Sequence, residues 1–140
     1  MFVYLLCGFE ASNAQDKSPV GVVNLFDRHY GGPDMDVISG NTTASFRANR
    51  PKSVWVVDVW RALKKMKYKI LNSTVIDSRV NNDRKAVDIV KAKIEIANKE
   101  TTHKEIYYLI QKGEIWFIND LVVANGKIDL EKIADLRAEK

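Results

Sequence analysis

An apolar environment disfavours the charged form of a carboxyl and raises its pKa, which lets an aspartate serve as a general base near neutrality. Asp58, Asp88 and Asp120 are the residues that such an environment would tune. Asp58 is flanked by Val57 and Val59 and sits between Trp55 and Trp60. Asp58 and Asp88 are therefore the candidate catalytic residues. The plainer reading is the favoured one: an aspartate on a helix points to solvent or pairs with a lysine such as Lys52 or Lys65, Asp88 marks a strand bulge, and Asp120 begins a turn.

A second chemistry is binding. Phe26, Tyr30, Trp55, Trp60, Tyr108 and Trp116 supply flat apolar walls, and an indole N–H or phenol O–H gives orientation, so these six are the candidate ligand pocket. Their helical and strand spacing equally suits a core, and the core reading is preferred. Other chemistries find no support. His29 and His103 stand on separate elements, no carboxylate-rich loop has calcium spacing, and neither a Gly-x-Ser-x-Gly elbow nor a phosphate-binding glycine loop is present. No metal and no cofactor are expected. Cys7 is the single cysteine, so no internal disulfide forms.

These residues must be positioned by a chain of 140 residues, 46% hydrophobic and 29% charged, which suits one domain and excludes a disordered or collagen-like chain. No apolar run reaches the about 18 residues of a membrane span. The 22 basic against 18 acidic residues give +4 and a pI near 9.1. The basic residues concentrate at Arg61, Lys64, Lys65, Lys67 and Lys69, and again at Arg84, Lys85, Lys91 and Lys93. Both sets read as solvated faces, and no nucleic-acid partner is expected. Phe2 to Phe9 is apolar, and Ser12 and Ala14 fit a signal-peptidase site, although a basic leader region is missing. Export to the periplasm or exterior is favoured over a short N-terminal strand or helix turn, which would leave the protein cytoplasmic. Residues 1–17 are set apart as a signal-peptide remnant or disordered leader.

Ser18 and Pro19 start a helix whose stripe is Val22, Leu25, Phe26 and Tyr30, with Asp27, Arg28 and His29 facing outward; Gly31, Gly32 and Pro33 stop it. A short helix ends near Gly40, and residues 41–49 read as loop. Ser53 caps a third helix to Lys67, preferred over a strand despite its valines. Periodicity then turns to alternation. Strands are expected over 70–79, 85–97, 102–111 and 114–123, with a bulge near Asp88 because Val87 and Ile89 break the pattern. Their short connections require antiparallel pairing. The last two strands are apolar on both faces, so the second face needs a cover, either a partner subunit or a C-terminal helix with Leu130, Ile133, Ala134 and Leu136 in its stripe.

This order of helices and strands, with Phe26 and Tyr30 in the first helix, Tyr107 to Lys112 in the penultimate strand, and Gly113, Trp116, Ile118 and Asp120 in the last, resembles the nuclear transport factor 2-like superfamily. The resemblance covers residues 18–124 and implies an α+β, cystatin-like cone. In it, N-terminal helices pack on a strongly curved four-stranded antiparallel sheet, with a pocket between them and often a homodimer. Residues 125–140 add a C-terminal helix, a departure that bears on sheet-to-sheet dimerisation. Among members, the chain looks most like small exported bacterial proteins of uncharacterised function. The expected function is a non-catalytic binding domain that holds a small apolar or amphipathic ligand, or a protein partner, in the cone or on the sheet face. The alternative is a cone-pocket isomerase or dehydratase using an aspartate base, and the third is weak nucleic-acid binding through the basic face.

Overall fold

Ser18 caps the first helix as its sequence predicts: its side-chain oxygen accepts the Gly21 N–H at 2.9 Å, and Pro19 takes the first helical position. The computed structural model describes residues 17–81 and 83–124. The remainder of the leader expectation, including Cys7, and the expected C-terminal helix lie outside the described residues.

Helix α1 is Pro19–His29, α2 is Asp36–Ser39 and α3 is Lys52–Lys65. Val22, Val23 and Phe26 of α1 are buried. So is Asp27, which the sequence reading turned outward. It stands four residues after Val23 and thus on the same face of the helix, where the Tyr107 hydroxyl meets it. Helix α3 corrects a smaller expectation, because its N-cap is Pro51 and no side chain caps it, so Ser53 lies within the first turn. It commits little to the core: only Trp55 and Leu63 are buried.

At the end of α1 the chain reverses through Gly31, whose φ of +83° lies in the left-handed region. A Cβ there would lie 3.4 Å from Leu63 Cδ1 and 3.5 Å from Tyr68 Cδ1. Gly31→Ala is therefore expected to lower stability by about 1–2 kcal/mol, chiefly from the backbone conformation, as measured by urea unfolding.

The strands are β1 (Tyr68–Asn81), β2 (Lys85–Ile96), β3 (Lys99–Lys112) and β4 (Ile115–Ala124), in spatial order β1-β2-β3-β4 and all antiparallel. The register of β2 is unbroken, so the bulge expected near Asp88 is not there. Instead β1 carries the extra residues, at Leu71 and Ile76, and β4 carries one at Asn119. Val87 and Ile89 break the apolar alternation of β2 for a different reason: both faces of the strand are buried around them. The bulges bend and twist the edge strands, which curves the sheet around the helices. Asp120 follows the β4 bulge inside the strand and does not begin a turn.

Residues expected to be plain loop add to the sheet. Thr42 bridges Ile118 in parallel, the Ile118 N–H donating to Asn41 O at 2.7 Å and the Thr43 N–H to Ile118 O at 3.0 Å. Buried Arg47 secures this segment by donating to Thr42 O at 2.7 Å and to Thr42 Oγ1 at 2.9 Å.

The main core lies between the helices and the concave face of the sheet. Phe26 is its centre, with ring centroids 4.9 Å from Tyr30, 5.9 Å from Phe46 and 5.8 Å from Tyr107. Val87 and Ile106 form a second buried cluster on the opposite, convex face, with Tyr108 and Ala124 packed against it.

Candidate functional site

The residues singled out in the sequence fall into three places. Phe26, Trp55 and Trp116 are buried in the main core, and Tyr30 packs against it. Tyr108 belongs to the convex-face cluster. Trp60 stands apart, its side of α3 turned to solvent at 36% exposure. The six aromatics thus do not line one common pocket. The two candidate bases separate as well. Asp58 is exposed and accepts from Arg50 Nη1 at 2.9 Å, the ion pair of an ordinary helix surface, with arginine as its partner and not Lys52 or Lys65. Asp88 is fully buried on the concave face opposite Tyr107.

A polar chain runs through that concave interior. His103, Glu105 and Tyr107 alternate along β3 and share one face of it. His103 Nε2 lies 2.9 Å from Glu105 Oε2. The Tyr107 hydroxyl donates to Asp27 Oδ1 at 2.6 Å and, more weakly, to Glu105 Oε1 at 3.3 Å. Burial pushes the Asp27 carboxyl up to about 6, aided by the negative Glu105 and opposed by hydrogen bonds from Tyr107 and Ser73. Burial also pushes Asp88 up to about 6, against the Ser78 hydroxyl that donates to Asp88 Oδ1 at 2.5 Å. Each of these aspartates keeps one oxygen, Oδ2, without a hydrogen-bond partner among the described residues. Burial raises the proton affinity of the Tyr30, Tyr68 and Tyr107 hydroxyls, that of Tyr107 well above its usual range, with Glu105 adding to the effect.

Such carboxyls have proton affinities suited to acid–base work, yet Asp27 is 6% exposed and Asp88 0%. A substrate does not reach them in this conformation, and the chain serves to join α1 to β3. The helical pattern alone turns Asp27 outward, which hides this polar chain from the sequence. The period-two spacing of His103, Glu105 and Tyr107 was the available signal.

The open site is elsewhere. A cleft of about 480 Å³ lies where the ends of α1 and α3 meet the start of β1 and the turn after β2. Trp60 and Tyr68 give it aromatic walls; Lys64, Lys67, Lys69 and Glu95 give it charge. Tyr68 is held edge-on against Tyr30 at 5.9 Å, which anchors that wall to the core. Lys64 Nζ sits 4.5 Å from the centroid of the Trp60 ring, a cation–π contact. Three of the five lysines and arginines read as a solvated face therefore gather around one concavity. Neither composition nor spacing reveals this, because the cleft joins four separate elements. Among the described residues no group of histidine, cysteine and carboxylate side chains is placed to hold a metal ion, and no helix is long and apolar enough to cross a membrane.

Neither a scan of protein-family models nor a search of curated proteins matches the chain. Solved structures do. A SEC-C motif-containing protein from Rhodopseudomonas palustris superposes with a TM-score of 0.62 at 17% identity, over 78% of this chain and 80% of that one. The intermembrane space region of the chloroplast protein ARC6 gives a TM-score of 0.52 at 15% identity, over 75% of this chain and 92% of that one. A domain of unknown function with a cystatin-like fold from Nostoc punctiforme gives a TM-score of 0.52 at 14% identity, over 94% of this chain and 83% of that one. At such identities the likeness is one of fold. The helices cradled by four antiparallel strands, curved by bulges at Leu71, Ile76 and Asn119, give this chain a cystatin-like α+β fold.

Proposed function

We propose that this chain is a small-molecule-binding domain whose ligand sits between Trp60 and Tyr68, in the cleft at the end of the sheet. The observation that carries the reading is the cleft itself: its volume of about 480 Å³ falls in the range of sites that enclose small ligands, and it pairs apolar walls with a few polar groups. The alternative of an aspartate-based enzyme is weaker, since Asp58 is occupied by Arg50 at the surface and Asp88 is sealed inside. Export of this binding domain and a homodimer through the sheet face remain parts of the proposal that rest on the sequence reading.

Tryptophan fluorescence tests it. Of the three tryptophans, Trp55 and Trp116 are 3% and 6% exposed, so the ligand-sensitive emission belongs to Trp60. Saturable quenching by a small aromatic ligand, abolished in Trp60→Phe, is the expected result. Quenching that persists unchanged in Trp60→Phe would place the ligand against the buried indoles and contradict the proposal.

A further inference from the structure

We infer that the cleft selects a planar anion, an aromatic ring system bearing one carboxylate or phosphate. This deepens the ligand-binding reading and rests on it. The Trp60 and Tyr68 rings offer flat faces on which a planar group packs with little loss of conformational freedom. The charge beside those faces is cationic. Glu95 stands directly opposite Lys69 in the β1–β2 register, an oppositely charged cross-strand pair. Lys64, Lys67 and Lys69 thus outnumber Glu95, the one carboxylate among the described residues of the cleft's walls, and Lys64 already lies over the Trp60 ring.

Lys67 supplies the second observation. It follows the C-cap of α3 with a φ of +55°, and its N–H donates to Lys64 O at 3.1 Å. Glycine is the residue that this left-handed position favours, because a Cβ is strained there. The chain uses glycine at the left-handed positions 31 and 113, while Ala48, Asn49, Arg84, Ala97 and Asn98 also adopt positive φ, so it is the place of Lys67 on the cleft wall that sets it apart. At position 67 it carries a lysine, and that lysine lines the cleft. Local strain at a site wall motivates a functional reading. Compensation of the helix dipole accounts for Lys64 and Lys65 in the last turn of α3, but it does not require a lysine at a strained position beyond the helix end. From the cleft wall Lys67 can donate a charge-assisted hydrogen bond to a ligand anion.

The test compares charged and neutral probes by isothermal titration calorimetry: 2-naphthoate against 2-naphthamide for the carboxylate, and AMP against adenosine for the phosphate. The charged member is expected to bind about tenfold or more tightly in at least one pair, as a charge-assisted hydrogen bond supplies. That pair identifies the anion. Lys67→Gly should erase most of this preference while raising Tm, and Lys67→Met should erase it without raising Tm. The inference is overturned if the charged probe is favoured by less than about fivefold in both pairs, or if Lys67→Gly keeps the preference. Failure of the wider reading looks different: none of the four probes shifts the Trp60 indole N–H resonance.

Discussion

Phe26→Ala is expected to lower stability by about 3–5 kcal/mol, the range for truncating a large aromatic in a core that does not collapse. Phe26 is 1% exposed and its ring meets Tyr30, Phe46 and Tyr107, which belong respectively to the end of α1, the segment before α3 and strand β3. Removing it takes the shared neighbour from all three at once. The cavity would be walled by rings whose positions other contacts fix: Tyr107 by its bond to Asp27 and Phe46 by Trp55 at 6.0 Å. Relaxation is therefore small and the cost stands near the full range. A fall in the urea midpoint with unchanged m would register it. A loss of less than about 1 kcal/mol would show that the aromatic cluster does not join the helices to the sheet.

Asp88→Asn should act in the opposite direction and only above acid pH. The folded chain raises this carboxyl from 3.8 to about 6, so between those values the native state holds a proton that the unfolded state has released. Stability from this group is fully present below pH 3.8 and is lost as pH rises through about 6. The difference amounts to about 3 kcal/mol above that point. Asparagine carries no charge and can still accept the Ser78 hydroxyl. The variant should therefore be more stable than the parent by up to about 3 kcal/mol at pH 8, with the gain falling to about 0.5 kcal/mol at pH 4. Denaturant titrations at the two pH values check it. A gain that is equal at both would mean that it does not come from ionisation of the buried carboxyl.

What the sequence made legible follows from how local each signal is. The Ser18 cap, the Gly31–Pro33 stop and the four alternating strands each depend on a few adjacent residues, and the structure places all of them close to their expected bounds. Val54 to Lys65, where β-branched residues oppose a helical stripe, settles as helix. The misreadings arise where one segment's pattern depends on another. Val87 and Ile89 look like a bulge only if one face of β2 is wet; with both faces buried they are regular, and the bulges sit on the edge strands. Asp27 looks like a surface residue until the Tyr107 hydroxyl is brought beneath α1, eighty residues along the chain. The candidate site shows the same limit. Trp60 was identified by type, but Lys64, Lys67 and Lys69 read as an exposed basic face until the fold curls them around a concavity with Tyr68.

The location of the ligand is the claim on which the functional account turns. The most direct measurement is an isotope-filtered NOE experiment on the labelled protein with whichever of 2-naphthoate and AMP binds more tightly. Cross-peaks from the ligand's ring protons to Trp60 and Tyr68 are predicted. Cross-peaks to Phe26, Trp55 and Trp116 in their place would put the ligand inside the cone and contradict the account.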